Sequence, residues 1–234
     1  MKKKILALFV SCFSLCADEL LVGTNAEFPP FCYIENKTIV GFDIDVVTEV
    51  AKRLGKTAKI KDMPFDALLP GIALGSLDVV AAGMSYTEER GKRALFTKSY
   101  LNGNLVILAS QQSLGLENLK GKTVVVVEGY TADAKMSSCQ GIKLLRLPTQ
   151  ADAFLALKSG RADAFVTASN TVKPFLDLQD SSKYPITPLE GTGESCALVI
   201  PLTKRELLVK IQEALDAMEQ DGTLAGLRNK WKLS

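Results

Sequence analysis

Apolar residues fall into short runs and helically spaced sets, and the two patterns alternate along the chain. The run at 20–22 is typical of a buried strand. Residues 42–54 are apolar at helical spacing, and Gly55 follows as a stop signal. Further helices are predicted over 66–74 and 204–220, with a strand over 77–82. Strands and helices that alternate in this way indicate an α/β fold.

One short pattern occurs twice. Residues 75–78 are Gly-Ser-Leu-Asp and residues 160–163 are Gly-Arg-Ala-Asp, and an apolar stretch follows each. In both copies the glycine can supply the left-handed cap of a preceding helix, and the aspartate stands where a strand begins. Two similar α/β units favour two lobes, with a ligand at the carboxyl ends of the strands. Helix-glycine-strand junctions are common, so coincidence remains an alternative on the pattern alone.

The first seventeen residues differ from the rest of the chain. Three lysines at 2–4 precede an apolar run over 5–13, and small residues follow before Asp18. This order is typical of a bacterial secretory signal peptide, and the run is shorter than the ~20 residues that span a bilayer. We therefore predict a signal peptide over 1–17 and a periplasmic protein. A lipid anchor at Cys12 or Cys16 and a buried N-terminal helix are the alternatives.

The composition excludes several kinds of chemistry. The 234 residues are 47% hydrophobic and 23% charged, which is ordinary for a globular protein with a sizeable core. The sequence contains no histidine, so catalysis through imidazole and metal sites built on it are excluded. Without the lysines at 2–4, 25 basic residues stand against 26 acidic ones, which gives no indication of nucleic-acid binding. We expect no metal and no cofactor.

Three cysteines follow the predicted signal peptide: Cys32, Cys139 and Cys196. An odd number allows at most one disulfide within a monomer, and no Cys-x-x-Cys pair indicates a zinc or redox motif. We favour the interpretation that they are small buried hydrophobic residues. The acidic pairs Asp43/Asp45 and Glu88/Glu89 are interpreted as charges at helix N-termini and not as a catalytic dyad.

Five motifs resemble those of the polar-amino-acid binding proteins of bacterial ABC importers, in the same order. They lie at 22–31 with 40–45, at 82–90, at 119–124, at 221–223 and at 230–231. The resemblance implies a type II periplasmic-binding-protein fold, in which two hinge strands join two α/β lobes and the ligand cleft lies between the lobes. It places residues 18–103 and 197–234 in a larger N-terminal lobe and 104–196 in an inserted lobe, with crossings near 100–104 and 195–199.

The resemblance also implies the function. A monomer would bind a polar amino acid, glutamine or arginine, by hinge closure and deliver it to an ABC permease in the inner membrane, without catalysis. One alternative is a periplasmic enzyme on the same scaffold, similar to cyclohexadienyl dehydratase, with Glu128 or Glu194 as general acid. The other is a lipid-anchored sensory module.

Seven residues match the ligand-binding positions of the family: Asn25, Phe28, Phe65, Gly83, Ser85, Arg90 and Thr131. Arg90 would hold the ligand carboxylate with two parallel charge-assisted hydrogen bonds, at a helix start that Thr87 caps.

The other six positions carry implied roles. Gly83 and Ser85 would contact the amino group, Thr131 would donate to the carboxylate, and Phe28 and Phe65 would sandwich the side chain. Asn25 stands where several relatives have an aspartate, which argues modestly against a cationic ligand.

One position departs from the family pattern. In the family a carboxylate that follows the Arg161-Ala162-Asp163 strand pairs with the ligand ammonium, and here that position is Ala168. An unpaired ammonium in a closed cleft costs several kcal/mol. Either Glu194, Glu128 or Glu27 supplies the missing charge, or the ligand is not a standard α-amino acid.

Overall fold

The computed structural model describes residues 18–110, 112–176 and 183–233, except for the side chains of residues 174 and 175. The predicted signal peptide, with Cys12 and Cys16, lies outside the described residues.

The described residues form thirteen strands, eight α-helices and a short 3-10 helix at Leu116–Leu119. The strands are β1 Asp18–Thr24, β2 Glu27–Phe28, β3 Cys32–Glu35, β4 Thr38–Val40, β5 Lys56–Asp62, β6 Val79–Val80, β7 Leu95–Phe96, β8 Leu101–Ala109, β9 Thr123–Val127, β10 Lys143–Leu147, β11 Ala164–Ala168, β12 Ile186–Cys196 and β13 Val199–Ile200. The helices are α1 Phe42–Arg53, α2 Phe65–Ala73, α3 Glu88–Gly91, α4 Thr131–Ser137, α5 Gln150–Lys158, α6 Ser169–Leu176, α7 Arg205–Gln220 and α8 Thr223–Trp231.

Two five-stranded mixed sheets form the centres of two lobes. The first sheet has the order β5-β1-β6-β13-β7 and takes strands from both ends of the chain. The second has the order β10-β9-β11-β8-β12 and takes strands from the middle of the chain. One hydrophobic core surrounds the first sheet, and two smaller ones cover the faces of the second. The two-lobe α/β architecture predicted from the sequence is confirmed.

Two long antiparallel strands, β8 and β12, connect the lobes. Leu101 pairs with Cys196 and Gly103 with Glu194, and the register shifts farther along β12. The predicted crossings at 100–104 and 195–199 overlap these paired segments. The lobe boundaries at 103/104 and 196/197 remain a prediction.

The pattern that occurs twice forms the same structure in both lobes. In each copy the glycine follows a helix at positive φ. The Asp78 carboxylate accepts from the Leu21 N–H at 2.8 Å, and the Asp78 N–H donates to the Leu21 carbonyl at 2.8 Å. Asp163 makes the same two bonds with Thr123, both also at 2.8 Å. Each aspartate therefore ties the start of its strand to the neighbouring strand.

The predicted strand over 77–82 is shorter than expected. It is confined to Val79–Val80, because the chain bends away from the sheet soon afterwards to form a turn at the cleft. The Ala81 N–H still donates to the Gly23 carbonyl at 3.0 Å.

The three described cysteines are free thiols, with Cys32 and Cys196 buried in the first core and Cys139 half-buried. The predicted role as small buried residues is confirmed for Cys32 and Cys196. In the part of the chain that the structure describes, no helix is long and apolar enough to cross a membrane.

Candidate functional site

A cleft of about 390 Å³, its open mouth included, lies where the two lobes meet. The first lobe contributes Gly83 and Ser85, from the turn after β6. The second contributes Tyr130, from the turn after β9, and Thr131, the first residue of α4. Hinge strand β12 contributes Glu194. We call this space the inner cleft. Both lobes present the carboxyl ends of strands to it, which is the usual ligand position in open α/β sheets.

Six of the seven predicted ligand-binding residues line the inner cleft: Phe28, Phe65, Gly83, Ser85, Arg90 and Thr131. Asn25 instead lines an adjoining outer cavity. Its amide Nδ2 donates to the Met63 carbonyl at 3.3 Å, and its Oδ1 accepts from the Tyr130 hydroxyl at 3.5 Å. The fold therefore brings six of the seven together, and their roles in binding remain predictions.

Arg90 extends from the one-turn helix α3 into the inner cleft. As predicted, the Thr87 hydroxyl caps this helix and accepts from the Arg90 N–H at 3.1 Å. The guanidinium donates through Nη1 to the Ser85 carbonyl at 2.8 Å and through Nη2 to the Gly129 carbonyl at 3.0 Å. Burial lowers the pKa of Arg90, but an arginine stays charged in proteins. Of its five N–H donors, three remain for an anion among the contacts of the described residues.

Three aromatic rings meet at the inner cleft. The Tyr130 ring lies 5.3 Å from the Phe28 ring, nearly perpendicular to it, and 4.7 Å from the Phe65 ring. The Arg90 guanidinium lies over Phe65, 5.4 Å from the ring centre. Tyr130, in the second lobe, thus contacts two aromatic rings of the first lobe. The sequence interpretation missed its role, although an aromatic residue directly before Thr131 was the available signal.

The turn that carries Gly83 depends on a glycine and on a buried carboxylate. Gly83 has φ +59°, and a Cβ there would collide with the Phe28 ring. The Gly83 N–H donates to the carboxylate of Asp43, which is fully buried in the first turn of α1. Burial raises the pKa of Asp43 to about 7. Asp43 and Asp45 both lie in the first turn of α1, as predicted from the sequence. Asp43 is buried there, whereas Asp45 contacts Lys230 at 2.7 Å near the surface.

Glu194 brings a carboxylate into the inner cleft from the hinge. Its Oε2 accepts from the Ser85 hydroxyl at 2.9 Å. Burial raises the pKa of Glu194, while the side chains of Thr131, Ser85 and Arg90 act in the opposite direction. Ala168 lines the same cleft, so the departure from the family pattern lies within the site.

The outer cavity is a larger and acidic space of about 1410 Å³, open solvent included. Phe65 and Tyr130 line both spaces and so separate the outer cavity from the inner cleft. Four carboxylate residues, and no lysine or arginine, are among its lining residues: Glu27, Asp62, Asp66 and Glu128. Of the three acids considered as ammonium partners, only Glu194 lines the inner cleft. Among the described residues, no group of three acidic or cysteine side chains could hold a metal ion.

Comparisons with known proteins agree with this geometry. The sequence model of the bacterial extracellular solute-binding proteins, family 3, matches residues 20–234. The arginine-binding extracellular protein ArtP of Bacillus subtilis (strain 168) is 30% identical over 250 aligned residues, covering 99% of this chain and 98% of its own. ABC transporter arginine-binding protein 1 of Escherichia coli (strain K12) is 28% identical, with 99% of both chains covered.

Solved structures show the same fold. An ancestral arginine-binding protein bound to arginine superposes with a TM-score of 0.86 at 37% identity, over 91% of this chain and 97% of that one. An ancestral arginine-binding protein bound to glutamine gives a TM-score of 0.84 at 36% identity, with the same coverage.

Proposed function

Because the chain belongs to family 3 of the bacterial extracellular solute-binding proteins, we propose that it is the amino-acid-binding component of an ABC importer. It would act in the periplasm, close its two lobes over one amino acid and deliver that ligand to a membrane permease. The observation that carries the proposal is the position of Arg90, whose guanidinium lies in the inner cleft and donates to a carbonyl of each lobe. A carboxylate bound there would interact with both lobes at once.

We propose arginine as the ligand, ahead of glutamine. A guanidinium group stacks favourably on aromatic rings, and the rings of Phe65 and Tyr130 stand between the inner cleft and the outer cavity. Beyond them the outer cavity presents four carboxylates to a cationic side chain. The neutral Asn25, which argued against a cationic ligand, lines the same cavity. We give the four carboxylates more weight than this single neutral residue. The two relatives named above are arginine-binding proteins.

Calorimetric titration tests the proposal on protein that has been unfolded and refolded to remove carried-over ligand. L-Arginine should bind with a lower dissociation constant than L-glutamine. Arg90→Ala should weaken binding of both by at least about 30-fold, because truncating one partner of a buried charged contact costs roughly 2–5 kcal/mol. Arg161→Ala, at an exposed arginine of the second lobe, is the matched control and should bind as the wild type does.

Variants of the carboxylates in the outer cavity test the choice of arginine over glutamine separately. Asp62→Asn and Glu128→Gln should each weaken arginine binding and leave glutamine binding unchanged, because only arginine has a cationic side chain. Glutamine bound more tightly than arginine would overturn the choice of ligand. If no amino acid gave a heat of binding, the proposed function itself would be overturned. Turnover of a cyclohexadienyl acid such as prephenate would overturn it as well.

A further inference from the structure

We infer that Glu194, on hinge strand β12, receives the α-ammonium group of the ligand in place of the carboxylate that the family carries at position 168. The inference rests on the proposed function, amino-acid binding. It assigns recognition of the ammonium to the hinge between the lobes, and not to strand β11 of the second lobe.

The hydrogen bonds around Ser85 orient the Glu194 carboxylate. The Ser195 N–H donates to the Ser85 hydroxyl oxygen at 3.2 Å, and that hydroxyl donates its own proton to Glu194 Oε2 at 2.9 Å. Because both groups are held by the backbone of the hinge and of the turn after β6, the carboxylate has a defined position. An acceptor-only carboxylate can take several donors, so Glu194 can accept an ammonium in addition to Ser85.

The charges of Arg90 and Glu194 are arranged as an α-amino acid requires. Arg90 binds the carbonyl of Ser85 at 2.8 Å, and Glu194 binds the hydroxyl of the same residue at 2.9 Å. The two charges are therefore held close together, and no ion pair joins them among the described contacts. An α-amino acid carries its carboxylate and its ammonium on one carbon atom. Its two charged groups can thus face Arg90 and Glu194 together.

No other described acid is placed to do this. Glu27 and Glu128 line the outer cavity, beyond the aromatic rings. Asp43 is fully buried behind Gly83 and is bonded to its N–H. Ala168 lines the inner cleft without a charge. Glu194 is accordingly the acid that can offset the cost of an ammonium in the closed cleft.

The decisive experiment compares L-arginine with 5-guanidinopentanoate, which is arginine without its α-amino group. The wild type should bind arginine at least about 30-fold more tightly than this analogue. Glu194→Gln should lose most of that difference, because its arginine affinity falls while its analogue affinity changes by less than about threefold. Glu190→Gln, at an exposed glutamate of the same strand, is the matched control and should keep the full difference.

A rescue distinguishes charge from hinge structure. The double variant Ala168→Asp/Glu194→Gln returns a carboxylate to the family's position and should recover at least a tenfold preference for arginine over the analogue. Glu194→Asp, which keeps the charge on a shorter side chain, should retain part of the preference and serves if Glu194→Gln does not fold.

The outcomes are separable. The role of Glu194 would be overturned if Glu194→Gln kept the full preference for arginine over the analogue. It would also be overturned if the variant lost affinity for both ligands equally and the double variant did not restore the preference. A wild type that binds both ligands equally well would overturn it too. A wild type that binds no amino acid would instead overturn the proposed function.

Discussion

At the scale of single residues, Asp43 should determine part of the pH dependence of stability. Its pKa is about 7 in the folded protein against 3.8 for the unperturbed group. Between these values the unfolded chain holds fewer protons than the folded one, so the free energy of unfolding falls as pH rises from about 4 to about 7. The fall should be on the order of 1–4 kcal/mol.

Urea denaturation at pH 5 and pH 8 measures this fall. Asp43→Asn keeps an oxygen that can accept the Gly83 N–H but cannot ionise, so its stability should fall less between the two pH values. Glu194, whose pKa is also raised by burial, contributes in the same direction in both proteins. Equal falls in the wild type and the variant would contradict the prediction.

Gly83 permits a second prediction at this scale. Gly83→Ala should weaken amino-acid binding, because the added Cβ collides with the Phe28 ring at a φ of +59°. Gly160→Ala is the control, since its φ is +75° and the space around its Cβ is open. Calorimetric titration should show an affinity loss for Gly83→Ala alone, whereas both should lose roughly 1 kcal/mol or more of stability. Similar affinities in the two variants would count against a role for this turn in binding.

The sequence predicted single residues well where a motif fixed their position and poorly where burial decided their state. Six motif residues meet in the inner cleft as expected. Asp43 and Asp45 occupy the same first helical turn, yet one is fully buried and the other contacts Lys230. The difference arises from what packs on α1 from distant parts of the chain, which the local sequence does not contain.

At the scale of elements, the cap of α3 should matter for binding as well as for stability. Thr87→Ala removes the hydroxyl that accepts from the Arg90 N–H, which should cost about 1 kcal/mol of stability. It also loosens the helical turn that carries Arg90, so ligand affinity should fall, though less than in Arg90→Ala.

The matched control for this prediction is Thr149→Ala. Thr149 caps α5 by accepting from the Asp152 N–H at 3.0 Å. It lies outside the inner cleft but lines the outer cavity, so the two variants are compared by titration with L-glutamine, whose side chain carries no charge. Denaturation should show similar stability losses for the two variants, and titration should show an affinity loss for Thr87→Ala alone. Unchanged affinity in Thr87→Ala would mean that α3 does not position Arg90.

Secondary-structure elements could be predicted from the sequence where the residues that determine them are close together in the chain. The glycine and aspartate of the pattern that occurs twice act within a few residues and on the adjacent strand, so both copies form as expected. The strand predicted over 77–82 is only Val79–Val80. The chain bends at 82–83, where the Gly83 N–H donates to the distant Asp43. Ala81 and Ala82 are buried although they lie outside the strand. The apolar run in the sequence is therefore longer than the strand itself.

At the scale of the whole molecule, a few contacts cross the inner cleft and join the two lobes, and we call this joined state the closed arrangement. Tyr130 reaches Phe28 and Phe65, and Arg90 reaches the Gly129 carbonyl. The internal repetition and the family motifs predicted two lobes and a cleft. They did not predict Tyr130 as a contact between the lobes, because its partners lie about a hundred and about sixty-five residues earlier in the chain.

Tyr130→Ala should therefore shift the ligand-free protein towards an open arrangement. The variant loses two ring contacts worth roughly 0.5–1.5 kcal/mol each, while the hinge pairing of β8 and β12 remains. Small-angle X-ray scattering should give a larger radius of gyration for the ligand-free variant than for the ligand-free wild type. Because a ligand that binds both lobes favours closure, saturating amino acid should bring the two radii together, at a dissociation constant roughly tenfold higher in the variant.

The control removes an aromatic contact of the same kind from within one lobe. Tyr33, in β3, packs edge-on against Trp231, with ring centres 6.2 Å apart. Trp231 packs against the core of the first lobe. Tyr33→Ala should lower stability and leave the ligand-free radius and the affinity unchanged. If Tyr130→Ala also leaves the radius unchanged, the closed arrangement does not depend on the ring contacts. The hydrogen bond from Arg90 to the Gly129 carbonyl would then be the contact that holds the lobes together, and Arg90→Ala should open the ligand-free protein instead.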